Sequence, residues 1–363
     1  MRYTIDALAT ALEAQAVGDT SLVITALAEP GDAGPGDLAL AGTPKYAETL
    51  KEGQAEAAML WADADWQALG LEAAILPKRP RFAMSRLTSM MDPGQGFAPG
   101  IHSAAIIDPS AQIGADVSIG PGAVIGPEAV IGDGSVIGPL SYVGWQAQLG
   151  PGAFLREHVS IGARVRIGAR FMAHPGARIG GDGFSFVTPE KGAVEAVRET
   201  LGEQGESAGQ PWARIASLGG VEIADDVEIG ANTTVDNGTI RATRIGARTK
   251  IDALVQIGHN VVIGTDNLLC ALVGIAGSTT MGNFVVCAGQ VGVADNLKIG
   301  DRVVITAGSK VLSSVHRGKV MMGYPATEMK GQIDTYKALR RLPRYLRDIT
   351  ELKKAVFKAD PSD

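Results

Sequence analysis

Large aliphatic residues recur along the chain at an interval of six. From Ile107 one reads Ile113, Ile119, Ile125, Ile131, Ile137, Val143, Leu149, Leu155, Ile161, Ile167 and, past Ala173, Ile179. Gly commonly follows each of them, as in Gly114, Gly120, Gly126 and Gly132, and Ala or Ser commonly stands two places before. The pattern resumes at Ile223, Ile229 and Val235, shifts phase, and runs from Ile245 through Ile257, Ile275 and Ile299 to Val311, 28 hexads in all. A helix repeats every 3.6 residues and a flat strand every two. A period of six instead predicts a short strand and a sharp turn, with the aliphatic pointing inward and Gly taking the turn.

Such hexads are similar to those of left-handed parallel β-helix acyltransferases, in which three hexads make one triangular coil. The resemblance implies about nine coils, which at the ~4.8 Å strand spacing form a prism of about 45 Å. Residues eighteen apart then sit one above the other. The expected fold is mainly β: a left-handed parallel β-helix over residues 101–317, interrupted by a loop insertion at about 181–220. Residues 1–98 carry no hexads and read as a separate α/β domain. Its expected elements are a helix over Ile5–Ala14, strands over Leu22–Ala26, Leu38–Leu40, Ala57–Trp61 and Ala73–Leu76, a helix opening at Pro44, and a helix near Arg81–Met91. The boundary falls in the Pro/Gly segment Asp92–Gly100. From about 331 to 358 the spacing turns helical, with Ile333, Tyr336, Leu339, Leu342, Leu346, Ile349 and Leu352 three or four apart, and Pro343 is expected to divide two helices.

Composition narrows the class. Gly contributes 47 of 363 residues, nearly twice its roughly 7 % average usage, without the Gly-X-Y period of collagen. The start of the chain, Met1-Arg2-Tyr3-Thr4-Ile5-Asp6, lacks the features of a secretory signal, and Cys270 and Cys287 are too few for a disulfide framework, so a cytoplasmic protein is expected. The longest weakly polar run, Leu268 to Gly277, is far short of the roughly 18 residues of a membrane span. The formal charge is −6, and no nucleic-acid partner is expected. Within the chain the charge is uneven: Lys330 to Asp363 carries a net +4, with Arg340, Arg341, Arg344 and Arg347 clustered. An acidic partner and a solvated helix face packed on a neighbouring subunit both fit that pattern.

Of the five histidines, His259 has the most informative setting, in Gln256-Ile257-Gly258-His259-Asn260. It follows a Gly turn, so alternation leaves its direction open; facing outward, it is available as a general base. Eighteen residues on, one coil above, comes Gly277, whose backbone N–H could stabilise an oxyanion while the imidazole takes a proton. Asp252 could orient the ring. A lone His in a repeat protein is also commonly structural. His102, His158, His174 and His316 show no short paired spacing with His259, which speaks against a zinc hydratase. An inert solenoid would not need the α/β domain.

The N-terminal α/β domain, the coils, Ile257-Gly258-His259-Asn260-Val261-Val262-Ile263-Gly264, Gly181-Asp182-Gly183-Phe184, Thr233-Thr234-Val235-Asp236 and the helical C-terminus together closely resemble the UDP-3-O-(3-hydroxyacyl)glucosamine N-acyltransferases of lipid A biosynthesis. The resemblance spans essentially the whole chain. It implies a homotrimer that moves a 3-hydroxyacyl group from acyl carrier protein to the 2-amine of UDP-3-O-acylglucosamine, with no cofactor beyond the carrier's phosphopantetheine. By position it implies His259 as catalytic base, Asp252 as its partner and Gly277 as oxyanion donor, and the basic C-terminal arginines as the contact for acidic acyl carrier protein. The family's uracil-binding aromatic–x–x–Asn–x–x–Tyr pattern falls on Leu40, Thr43 and Tyr46, of which only the Tyr matches. A second, assisting His is matched by Asn296, which cannot shuttle a proton at neutral pH. Apolar residues of the acyl groove are matched by Lys310 and Leu312. A CoA-dependent sugar O- or N-acyltransferase on the same scaffold is the alternative.

Overall fold

The computed structural model describes residues 1–192, 209–323 and 326–356, and the chain divides into two compact units, Met1–Phe97 and Ala98–Asp363. The first is built on a five-stranded sheet in the order Gln15–Gly18, Ala73–Leu76, Ala57–Met59, Asp37–Leu40, Ala26–Ala28. The first pair is antiparallel and the others are parallel. Its central strands are continuously apolar because both faces are covered: Leu38, Ala57, Met59 and Ile75 pack with Ile5, Leu8 and Leu87, while Ala39, Ala58 and Ala74 pack with Ala41 and Leu60. The helices Ile5–Ala11 and Pro80–Met91 lie where the apolar spacing puts them, and Pro44–Ala47 is a single turn with Pro at its start. The edge strand Gln15–Gly18 has no signal in the pattern, being short and only partly buried.

The second unit is a parallel β-solenoid. All 28 expected hexads form strands, and Val320–Met321 adds one more, so that three sheets of ten, ten and nine parallel strands result. The register is the one the repeat requires: Ile107, Ile125, Val143, Ile161, Ile179, Val235, Ile257, Ile275, Val293 and Val311 form one continuous ladder. These aliphatics fill the interior. Polar residues in the small position are satisfied in place: Thr233 Oγ1 donates to the Asp252 carbonyl at 2.6 Å and accepts the Val255 N–H at 3.0 Å.

Two details differ from the sequence-based expectation. The Gly after each aliphatic does not take the turn. The left-handed residue comes two places later and is often not Gly, as at Glu128, Leu140, Gln146 and Asn260. The Gly is needed because the next coil stacks on it: a Cβ on Gly132 would lie 2.5 Å from the carbonyl carbon of Gly150. The C-terminal segment is one helix, Met329–Val356, running through Pro343. Its described residues are exposed, so the carbonyl that loses its intrahelical partner to Pro343 can be hydrated. Residues 357 and 358 of the expected segment lie outside the described residues.

Two excursions leave the coils. After the strand Arg178–Gly181, the chain makes a hairpin in which Phe186–Val187 pairs antiparallel with Ala213–Arg214. Most of the Glu190–Gln210 stretch, residues 193–208, lies outside the described residues. The second excursion, residues 237–242, accounts for the phase shift of the hexads between Val235 and Ile245.

Candidate active site

The ladder from Val235 to Val311 and the hairpin segment border a cleft of about 740 Å³. His259 lies in it. Gly258 ends the strand and His259 enters the corner, so the imidazole turns outward and half-buried while Ile257 points into the core. The ring is gripped between two glycines: a Cβ on Gly183 would come within 2.7 Å of His259 Cβ, and a Cβ on Gly277 within 2.7 Å of both Cε1 and Nε2. Only residues without side chains let the ring sit there. The Nε2 edge therefore faces Gly277, whose N–H has no acceptor among the described residues. Nδ1, at the other edge, lies 2.9 Å from Asn260 Oδ1.

The carboxylates that border the cleft with the ring are those of Asp236 and Asp182, and Asp252 of the same chain is not among them. Asp252 Oδ1 accepts its own loop's Ala253 N–H at 2.7 Å, the residue is exposed, and it does not border the cleft. Its strand, Lys250–Ile251, runs in a different sheet from the strand of Gln256 and Ile257, so within the chain a separation of seven residues does not bring Asp252 to His259. Asp236 accepts from Gln256 Nε2 at 2.9 Å, and Gln256 Oε1 accepts in turn from Thr234 Oγ1. Burial pushes the Asp236 carboxyl above the usual carboxylate value; the Gln256 hydrogen bond and the His259 charge pull the other way, and Asp182 adds to the rise. Asp182 also approaches Arg214 at 3.8 Å.

A stability prediction follows from Asp236. An acid whose pKa is raised on folding holds its proton more tightly in the native chain. Stability is therefore lost as pH climbs from the unfolded value, about 3.9, through the raised one, and the loss is constant above it. Asp236→Asn is expected to raise the melting temperature by about 1–3 °C at pH 7.5 and to lose that gain below about pH 4. Calorimetry at the two pH values checks it; an unchanged midpoint at pH 7.5 contradicts it.

Beyond the base, the cleft is apolar along Ile275, Ala276, Val293 and Ala294 and floored by Gly274 and Gly292. Lys310 and Leu312 border its far end, where the Lys310 stem crosses Gly292 and its Nζ donates to the Gln290 carbonyl at 3.3 Å. At the near end Phe184, 86 % exposed, meets Phe186 edge-on at 5.1 Å, with the Arg214 guanidinium over the Phe186 ring at 4.8 Å. Asn296 is not brought in: it sits exposed at a corner and donates to Asp295 Oδ2 at 2.9 Å. Arg340, Arg341, Arg344 and Arg347 lie exposed on the C-terminal helix. In the N-terminal unit Tyr46 is 58 % exposed and so not a core residue; Thr43 stands just before the same helical turn, exposed and with no side-chain capping hydrogen bond, while Leu40 packs partly buried against the core. His174, on a different sheet from the cleft, meets Glu228 at 2.9 Å.

Residues 21–90 match the family described as UDP-3-O-(3-hydroxymyristoyl) glucosamine N-acyltransferase, and residues 110–144 match the six-repeat bacterial transferase hexapeptide. A UDP-3-O-acylglucosamine N-acyltransferase of Ruegeria pomeroyi is 63 % identical over 363 residues, covering all of both chains. The chain belongs to the UDP-3-O-acylglucosamine N-acyltransferase family. Members from Paracoccus denitrificans and Xanthomonas axonopodis are 60 % identical over 270 residues, 74 % of each chain, and 46 % identical over 329 residues, 90 % of this chain and 91 % of theirs. Among the described residues of this family member, no helix is long and apolar enough to cross a membrane.

Proposed function

We propose that the protein transfers a 3-hydroxyacyl group from acyl carrier protein to the 2-amine of UDP-3-O-acylglucosamine, giving the UDP-2,3-diacylglucosamine of lipid A biosynthesis. The observation that carries this reading is the outward imidazole whose Nε2 faces Gly277 in an apolar cleft. Nε2 takes a proton from the acceptor amine as its nitrogen attacks the thioester carbonyl. The C–N bond forms, and the oxyanion is held by the Gly277 N–H. Collapse breaks the C–S bond, and the phosphopantetheine thiol leaves with the proton that the imidazolium returns. Asp236 favours the imidazolium in between. With Asn296 turned away, His259 serves as sole base. The apolar run to Leu312 takes the acyl chain. The exposed Tyr46 ring, on the uridine-binding N-terminal unit, stacks the base, with Thr43 and Leu40 beside it. Arg340, Arg341, Arg344 and Arg347 receive the acidic carrier protein. The working form is a cytoplasmic homotrimer.

Turnover with matched 3-hydroxyacyl-carrier-protein and 3-hydroxyacyl-CoA donors tests the reading. Strong preference for the carrier protein, weakened by salt, supports it; equal use of CoA assigns the protein to the CoA-dependent sugar acyltransferases instead. Lys310 gives a sharper expectation. Lys310→Met, which replaces a charge at the end of the groove with an apolar stem, is expected to raise kcat/KM for longer donors relative to shorter ones by about fourfold or more, since a buried methylene is worth about 0.8 kcal/mol. An unaltered chain-length profile would remove Lys310 from the groove.

A further inference from the structure

Asn260 follows His259 directly and is almost completely buried, in the left-handed corner conformation at φ +62°. The orientation of its amide is decided by two backbone groups of single polarity. The Thr239 N–H can only donate, so the atom 3.1 Å from it is Oδ1; the Arg241 carbonyl can only accept, so the atom 3.1 Å from it is Nδ2. Thr239 Oγ1 also reaches Oδ1, at 2.9 Å. The Asn260 backbone is held as well: its N–H donates to Thr243 Oγ1 at 2.9 Å, and its carbonyl accepts from the Arg241 guanidinium at 3.1 Å. With the amide so fixed, the atom 2.9 Å from His259 Nδ1 is an acceptor only. Nδ1 must carry the hydrogen, and in the neutral ring the lone pair is then on Nε2, the edge that faces Gly277.

We propose that Asn260 is a positioning residue for acyl transfer: locked by the excursion at 237–242, it holds the His259 ring in the Nδ1–H tautomer with Nε2 open toward Gly277. The proposal deepens the acyltransfer reading and rests on it for its kinetic part. Its origin lies in the sequence. Ten residues separate Val235 from Ile245 where one hexad would take six, and the extra four let Thr239 and Arg241 reach back over the corner. A neutral amide suits this position. Asp236 and Asp182 already border the cleft on the imidazole's side, with Lys310 farther along it and Arg241 on the Asn260 carbonyl. A further carboxylate at 260 would favour the protonated ring at rest and occupy the lone pair that the reaction needs.

The test begins without substrate. In protein labelled with ¹⁵N-histidine, the resonances lost in His259→Gln identify the ring. The wild type is expected to show the neutral Nδ1–H pattern at pH 8, and Asn260→Ala a mixture or the Nε2–H form. In turnover, Asn260→Ala is expected to lose about 10- to 100-fold in kcat with KM changed less than about threefold, and to add no further loss to His259→Ala. Asn260→Asp keeps the acceptor toward Nδ1 but loses the donor to the Arg241 carbonyl. It is expected to keep more activity at high pH than Asn260→Ala, with the acidic limb of the pH profile moved up by about one unit; if Asn260→Ala does not fold, this limb decides. An Nδ1–H ring and full kcat in Asn260→Ala, losses that multiply in the double variant, or an unmoved limb in Asn260→Asp would overturn the proposal. Because the tautomer is read in the resting protein, its failure is distinct from a failure of the proposed reaction.

Discussion

Replacement of His259 by Ala is expected to lower kcat for acyl transfer by about two to four orders of magnitude, the size contributed by a well-placed general base. The loss should fall on kcat more than on KM, because the imidazole borders the reacting atoms, while the apolar run along Ile275 and Val293 remains to hold the acyl chain. Folding should be little affected. The side chain is outside the solenoid interior, and the adjacent Ile257 keeps its place in the ladder between Val235 and Ile275. Circular dichroism and the melting midpoint establish that the variant is folded, and steady-state kinetics with the carrier-protein donor measure the effect. A loss of less than about tenfold would make His259 a structural residue.

Gly277→Ala is expected to be nearly as damaging, although it adds a single methyl group. The new Cβ would fall 2.7 Å from Nε2 and Cε1 of His259, closer than atoms tolerate, so one of the two must move. The backbone at 277 is held: its carbonyl accepts the Asn296 N–H at 3.0 Å, and the next residue's N–H donates to the His259 carbonyl at 2.9 Å. The ring is the part that yields. It cannot retreat, because Gly183 lies behind its Cβ, so it swings out of reach of Asn260 and away from the Gly277 N–H. Base and oxyanion donor are thus separated by one substitution, and a loss in kcat of about 100-fold or more is expected at an unchanged melting temperature. Activity within about threefold of wild type would show that the ring does not work against Gly277.

The solenoid was legible in the sequence because its interior admits one side chain every six residues. Every aliphatic from Ile107 to Val311 in the hexad frame became a strand, and eighteen-residue stacking placed Gly277 over His259. The task of the repeat glycines is not legible in the same way. A period shows where Gly is required, but not whether a turn or the next coil requires it. Val320–Met321 stands outside the hexad frame because it lies sixteen residues, rather than eighteen, beyond the strand it pairs with. The site was less readable wherever the chain leaves the repeat. Asp236 shares the cleft with His259, and Thr239 locks Asn260 through an excursion that breaks the phase, so counting by eighteen cannot pair them. Asp252 shows the converse: it is near in sequence, but within the chain it lies around the corner on another sheet. Only the unusual spacing between Val235 and Ile245 signalled that something other than a plain coil occupies that corner.

The proposed reaction acylates an amine, not a hydroxyl. The most direct measurement offers the wild-type protein 3-hydroxyacyl-carrier protein with two acceptors in parallel, UDP-3-O-acylglucosamine, whose 2-amine is free, and UDP-N-acetylglucosamine, whose amine is blocked and whose 3-hydroxyl is free. Mass spectrometry of the products then shows which atom was acylated. Rapid formation of the 2-amide from the first and no product from the second is the predicted result; ester formation on the second, without amide on the first, would contradict it.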